Sequence, residues 1–226
     1  MMTSQLDNPF AEEQIAKIYR KYSNKYHTHQ QAFKEFTRII HLNERILEVG
    51  VGTGTFIQLL LSAGYPVRGV DESEEMLKRA PKKVRDLSAR CDLLNYDPST
   101  KYDVLVSHSG GVTFKKGKFE TYYQSKETLE KAFQKIRELL NDDGRFLVNK
   151  AEHDSEIDLG EEARFTLQQE DKGDFRIYHY TFQQRDKKIT RQQRRLALTP
   201  AEWQKISSPH FDWNFDNPSW IIGEIL

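Results

Sequence analysis

The chain has 226 residues, 37 % of them hydrophobic, with 34 Lys and Arg balanced by 34 Asp and Glu. That length suits one sizeable domain, and the balanced charge leaves no global positive field to draw in nucleic acid. No apolar stretch approaches the ~20 residues that cross a bilayer, the start Met1-Met-Thr-Ser-Gln-Leu-Asp7 lacks a basic-then-apolar leader pattern, and the single Cys91 has no internal disulfide partner. Cytoplasm is the default expectation, with neither a membrane nor a nucleic acid as partner.

Residues 11–40 read as helical, with Ile15, Ile18, Tyr19, Tyr22 and Tyr26 at spacings of three and four. His27 and His29, two apart in a polar stretch, read as solvated surface rather than a metal site, and no Cys/His group has zinc spacing. A first strand over 45–49 runs into Glu48-Val-Gly50-Val-Gly52-Thr-Gly54-Thr55. Glycines at alternate positions let a strand turn sharply into a helix and remove the Cβ atoms that hold a backbone away from a ligand. The helix that follows carries Phe56, Leu59, Leu60 and Ala63 and stops at Gly64. A second strand ends at Val70-Asp71, where Asp71 offers an acceptor to ribose hydroxyls and Ser73 suits the next helix N-cap. Met76 also fits plain core, and Asp92 also fits a solvated loop.

Tyr102–Ser107 reads as a fourth strand, Leu129, Phe133, Ile136 and Leu140 as one helix face, and the segment to Val148 as a fifth strand. Strands and helices alternating to about residue 150 predict a mostly parallel sheet. Residues 175–182 and 189–198 read as a hairpin turned at 185–188, on which at most one side of Tyr178, His179 and Tyr180 faces a pocket. The basic cluster from Lys187 to Arg195 alternates as an exposed charged strand face does. Thr199-Pro200-Ala201-Glu202 forms a capping box before a short helix around Trp203, and a final strand pair completes seven strands.

The glycine run misses the dinucleotide spacing G-x-G-x-x-G: its third glycine is Gly54, and position 55 is Thr. The preceding Glu48 suits a ligand with a cationic end better than one with two phosphates. S-adenosylmethionine carries a sulfonium and an ammonium. Ile46–Phe56 resembles the first motif of the class I S-adenosylmethionine-dependent methyltransferases. Gly69–Leu77 resembles their ribose-binding strand end and the helix after it, Cys91-Asp92-Leu93 their adenine-side segment, and Tyr102–Ser107 and Leu140–Val148 their fourth and fifth strands. The helical arm, the hairpin and Leu198–Trp203 are similar to the small-molecule type, the sugar N-methyltransferases and glycine N-methyltransferase-like enzymes. Tyr19 matches an arm tyrosine near the methionine end of the donor, although the aspartate that commonly follows it is Arg20 here.

The resemblance implies an α/β Rossmann-like fold: a seven-stranded, mostly parallel sheet with helices on both faces, an N-terminal helical arm and an inserted antiparallel β-hairpin after strand five. Within a single domain, 1–42 is the arm, 43–150 the donor-binding core, 151–198 the hairpin covering the acceptor, and 199–226 the last helix and strand pair. S-adenosylmethionine is the implied donor and S-adenosylhomocysteine the product, held by Tyr19, Glu48, Gly50, Gly52, Gly54, Asp71, Glu72, Met76, Asp92, Leu93 and Ser107.

Ligands of open α/β sheets sit beyond the carboxyl ends of the strands, so Ser107–Gly111 should face the transferring methyl. This segment lacks the Asn/Asp-Pro-Pro-aromatic motif of planar-amine methylation. His108 has the pKa range of a general base, or else bonds a loop carbonyl; Lys150 and His153 are secondary pocket candidates. The expected function is methyl transfer to a small-molecule acceptor, an amine foremost, in a monomer or homodimer. An NAD(P)-dependent oxidoreductase and a non-catalytic nucleoside-cofactor-binding module are the alternatives.

Overall fold

The structure is a computed structural model that describes residues 8–25, 28–108, 110–150, 156–158, 164–184 and 187–226. Tyr26, His27, Ser109, His153 and turn residues 185–186 lie outside the described residues, as does the side chain of Tyr22.

A 3-10 turn at Pro9–Ala11 leads into α1 (Glu13–Lys25) and α2 (Thr28–Phe36). The chain then alternates through β1 (Ile46–Val49), α3 (Thr55–Ser62), β2 (Val67–Asp71), α4 (Glu74–Arg79), α5 (Lys82–Asp86), β3 (Ser88–Arg90) and β4 (Tyr102–Ser107). Next come β5 (Val112–Lys115), β6 (Lys118–Thr121), α6 (Lys126–Leu139) and β7 (Leu140–Asn149). The last part comprises β8 (Glu156–Asp158), β9 (Arg164–Lys172), β10 (Phe175–Gln184), β11 (Lys187–Leu198), α7 (Pro200–Ser207), β12 (Phe211–Asn214) and β13 (Trp220–Ile225).

Seven strands form the main sheet in the order β12-β13-β7-β4-β1-β2-β3. Its pairings are parallel from β7 across to β3, while β13 runs antiparallel to both β7 and β12. Successive strand residues point to opposite faces, so a sheet covered on both sides needs uninterrupted apolar strands. Leu47, Leu105, Phe146 and Val148 accordingly pack on one face with α6 and α7, whereas Ile46, Val104, Val106 and Leu147 pack on the other with α2 and α3. α6 buries Leu129, Ala132, Phe133, Ile136 and Leu139 from one stripe; Leu140 has already left the helix and opens β7. Side-chain caps set the helix starts. Ser73 accepts from Met76 N at 3.2 Å, Ser125 from Thr128 N at 3.1 Å, and Thr199 with Glu202 completes the expected capping box.

β10 and β11 pair antiparallel, from Phe175 opposite Leu196 to Gln184 opposite Lys187. They do not stand as a lone insert but belong to a second, six-stranded antiparallel sheet ordered β5-β6-β11-β10-β9-β8. Two of its strands come from the 43–150 stretch. Lys116 and Gly117 take φ of +48° and +75°, the left-handed pair that a two-residue hairpin turn requires, and so fold β5 back on β6. α1 packs Ile15 and Ile18 against Tyr178, Tyr180 and Phe182 of β10, and the Glu12 carboxylate accepts two bonds from the Arg191 guanidinium. Arm, second sheet and main sheet thereby enclose a cavity beyond the carboxyl ends of β1, β2 and β4. No described helix is long and apolar enough to cross a membrane.

Candidate active site

The cavity measures about 280 Å³, far beyond the ~10–15 Å³ that holds one water. Its floor begins where β1 ends. Gly50 has φ +76°, and a Cβ there would lie 2.6 Å from Gly110 Cα, so only glycine lets the loops after β1 and β4 touch backbone to backbone. Asp71 stiffens the same floor. Its Oδ2 accepts from Gly52 N at 2.7 Å and its Oδ1 from Ser73 N at 2.8 Å. Burial nevertheless pushes its carboxyl up to about 6. The primary job of Asp71 is therefore to shape the glycine loop, and each oxygen keeps lone-pair capacity for a ligand hydroxyl.

Glu48, Gly52, Glu72, Met76, Asp92 and Leu93 line the cavity with Gly50 and Asp71. Glu72 accepts from Asn8 Nδ2 at 2.9 Å, and Asp92 accepts from Leu94 N at 2.9 Å at the head of a 3-10 turn. Two expected donor-site residues are corrected. A Cβ on Gly54 would meet Val84 Cγ1 at 2.8 Å, so this glycine serves helix packing and is off the cavity wall. Ser107 is fully buried, its Oγ accepting from Val112 N at 2.9 Å and lying against Val112 O and Gly110 O. It ties the loop after β4 instead of facing the cavity.

The arm is fastened to this floor. Arg20 donates to Thr53 O at 2.7 Å, Ser23 Oγ lies 3.0 Å from Thr53 Oγ1, and Ser73 Oγ donates to Phe10 O at 2.8 Å. Arg20, standing where the resemblance leads one to expect aspartate, is a tether between α1 and the glycine loop. Tyr19 lines the cavity with its ring edge-on to Phe10 at 5.1 Å, and burial pushes its phenol up.

His108 faces the cavity 5 % exposed, stacked on Phe56 at 4.4 Å with an interplanar angle of 5°. The His29 ring lies 4.8 Å away, 8 % exposed, and its Nδ1 is buried without a hydrogen-bond partner among the described residues. Burial pushes His29 down to about 4, so it is a neutral imidazole at neutral pH. His29 is thus a cavity residue and not solvated surface. Its spacing to the buried Ala32 and Phe36 on the same helix face was the available signal.

The second sheet supplies the opposite wall. Tyr178 and Tyr180 point inward at 2 % and 3 % exposure, while His179 turns outward toward Glu170, as strand alternation requires. Arg195, expected on an exposed face, is buried instead: it donates to Tyr122 OH at 2.7 Å and Tyr180 OH at 3.0 Å and lies 4.3 Å over the Tyr122 ring. Lys188, Thr190 and Gln192 of that cluster keep the expected exposure. Glu120, buried on β6, accepts from Arg176 and from Tyr178 OH. Lys150 is not a wall residue; its Nζ donates to Phe215 O and Asn217 O, both at 2.7 Å.

Residues 46–144 match the family described as a methyltransferase domain. Over these residues the chain is similar to a methyltransferase domain. An uncharacterized methyltransferase of Bacillus pumilus is 28 % identical over 169 residues, 71 % of this chain and 70 % of the relative. Streptomyces venezuelae DesVI superposes with a TM-score of 0.71 at 15 % identity, over 95 % of this chain and 99 % of its own. The sugar N-methyltransferase KedS8 from Streptoalloteichus gives 0.68 at 15 % identity, over 100 % and 97 %. At these identities the structural likenesses show the shared fold.

S-adenosylmethionine, the donor that the resemblance implies, carries its methyl group on a sulfonium and would leave as S-adenosylhomocysteine, which is bound in one solved methyltransferase of the same fold. The cavity fits it. Glu48 is 1 % exposed, its Oε2 has no hydrogen-bond partner among the described residues, and burial together with the charge of Asp71 holds its carboxyl well above the usual range. A cationic ligand group would supply the missing partner and favour the ionised form. At Gly52, a Cβ would come within 3.3 Å of Met76 Cε, so the bare backbone keeps a slot open beside that thioether.

Proposed function

We propose that the methyltransferase acts on a small molecule and delivers the methyl group to an amine nitrogen, with His108 taking up the proton. The observation that carries this is the placement of His108 and His29, 4.8 Å apart, on the same cavity as the glycine loop. The Gly50–Gly110 contact sets the distance between the loop facing the donor and the loop presenting the base, and such positioning supplies much of the acceleration of an in-line displacement. An amine is protonated near neutral pH and attacks only after losing a proton, a task suited to an imidazole. The arm and the tyrosine-lined second sheet close over the cavity, which favours a small acceptor. A fold shared with a sugar N-methyltransferase supports nitrogen as the target.

On the donor side, Asp71 and Glu72 meet the ribose hydroxyls, Met76 and Leu93 flank the adenine, and Asp92 accepts from its amino group. Glu48 meets the ammonium, and Tyr19 covers the methionine end. Residues 43–150 serve as the donor-binding core, with 1–42 as arm, 151–198 together with β5 and β6 as acceptor cover, and 199–226 closing the sheet. His108, Gly110 and Gly111 lie on the donor cavity, which favours an enzyme over a binding module. The family match favours methyl transfer over hydride transfer.

The test is a mass-spectrometric screen of amino sugars, simple amines, phenols and alcohols with S-adenosylmethionine, run on wild type and His108→Gln. Methylated amines are expected, with kcat falling by ~10²–10⁴ in the variant and S-adenosylhomocysteine affinity retained. Methylation confined to oxygen or carbon acceptors sinks the amine assignment, and an unchanged kcat sinks the base.

A further inference from the structure

The second-sheet wall carries cations that methyl transfer to an amine does not require. Lys115, on β5, is 6 % exposed and lines the cavity, yet its Nζ makes no hydrogen bond or ion pair among the described residues. Its contact is the face of Tyr178, 5.7 Å from the ring centre. Arg195 spends Nε on Gln193 and NH2 on the two tyrosine hydroxyls. Its NH1 makes no hydrogen bond among the described residues and stands 3.9 Å from Glu120 Oε2.

Glu120 does not balance both groups. It already accepts from Arg176 and from Tyr178 OH, and the other carboxylate reaching this wall, Asp171, is shared between Arg176 and Lys118. Lys115, Lys118, Arg176 and Arg195 therefore share two carboxylates on this wall, and of the four cations Lys115 and Arg195 line the cavity. Buried charges are normally paired, because desolvation without a partner is expensive. Tyr122 adds a donor at the same spot: its oxygen accepts from Arg195, which leaves its own proton available.

We infer that Lys115 and Arg195, with Tyr122, form a subsite for an anionic group, a carboxylate or phosphate, carried by the acceptor. The inference rests on the methyl-transfer reading of the cavity and deepens it: the substrate carries an anion as well as the nucleophile. The donor has a carboxylate of its own, but Lys115 and Arg195 belong to the covering sheet and not to the glycine loop. A guanidinium grips a carboxylate or phosphate through paired donors, and Arg195 NH1 with Lys115 Nζ supplies that set here.

The test uses the full chain saturated with S-adenosylhomocysteine and titrated with inorganic phosphate or acetate, against chloride at matched ionic strength. Thermal stabilisation beyond chloride is expected for at least one anion. In Lys115→Met its dissociation constant should rise about tenfold or more, Lys115→Arg should recover most of that, and Tyr122→Phe should weaken it several-fold. S-adenosylhomocysteine affinity should stay within about threefold throughout. Absence of any effect beyond chloride on the wild type overturns the subsite whatever the variants do. Anion affinity that stays at the wild-type value in both Lys115→Met and Tyr122→Phe overturns it too. Loss of S-adenosylhomocysteine affinity in Lys115→Met, with anion binding intact, assigns the cations to the donor and overturns it as well. If the wild type does not bind S-adenosylhomocysteine, the donor reading fails and the subsite falls with it.

Discussion

Replacing Gly50 by alanine tests the contact that joins the two halves of the site. At φ +76° an alanine sits in the left-handed region, at a strain of roughly 1–2 kcal/mol. Its Cβ would also stand 2.6 Å from Gly110 Cα, 2.8 Å from Gly110 C and 2.9 Å from Gly111 N. All three are backbone atoms and cannot rotate away, so the loops must part, at a further ~1–3 kcal/mol typical of overpacking. The sum is ~2–5 kcal/mol, and at ~2–4 °C per kcal/mol for a chain of this size Tm falls by roughly 4–20 °C. Gly64→Ala is the internal control. Its φ is +88° but nothing lies within 4 Å of its Cβ, so it carries the strain alone and should lose only ~2–8 °C. Thermal unfolding of both variants, with and without S-adenosylhomocysteine, separates the terms; ligand stabilisation should shrink in Gly50→Ala and persist in Gly64→Ala. A Gly50→Ala protein as stable as Gly64→Ala would refute the close approach and the account of positioning built on it.

His29 sets a pH dependence. With its pKa held at about 4 against an ordinary 6.5, the unfolded chain takes up the proton first, so its stabilisation is complete above pH 6.5 and is lost as pH falls toward 4. The loss reaches ~2 kcal/mol by pH 5 and should vanish in His29→Gln, read as the difference in Tm between the two proteins across that range. Asp71, raised to about 6 from 3.8, acts in the opposite sense: its stabilisation is full below pH 3.8 and fades as pH rises through 6, which Asp71→Asn should remove. Arg20→Ala deletes the bond to Thr53 O and should weaken S-adenosylhomocysteine binding about tenfold by calorimetry; an unchanged dissociation constant means the arm does not brace the loop. Trp203 is fully buried, stacks on Phe119 at 4.1 Å and leaves its Nε1 without a partner among the described residues. Urea unfolding should show Trp203→Phe costing under ~1.5 kcal/mol and Trp203→Ala ~3–5 kcal/mol; equal losses contradict the ring packing, and a Trp203→Phe loss well above ~1.5 kcal/mol contradicts the unpaired donor.

Much of the donor side was legible because its signals are local. A strand that must turn into a helix beside a ligand announces itself in the Gly50-Val-Gly52 spacing, and Asp71 follows at the end of the next strand. The capping box at Thr199 and Glu202 is equally local, since both partners lie within one turn. The hairpin of β5 and β6 was readable in principle from Lys116-Gly117 between alternating residues, but a turn signal does not say which sheet the hairpin joins.

The chain's spacing by itself determined a doubly covered parallel sheet, a glycine loop and an acid at the end of the next strand, because backbone geometry and strand alternation act over a few residues. Only the tertiary structure decided that Gly54 packs on Val84, that Ser107 ties a loop, that His29 meets His108, and that Arg195 is buried among tyrosines beside Glu120. Whether a polar side chain is solvated, structural or aimed at a ligand depends on which distant groups desolvate and pair with it, and those partners are supplied by strands and helices far away in the sequence.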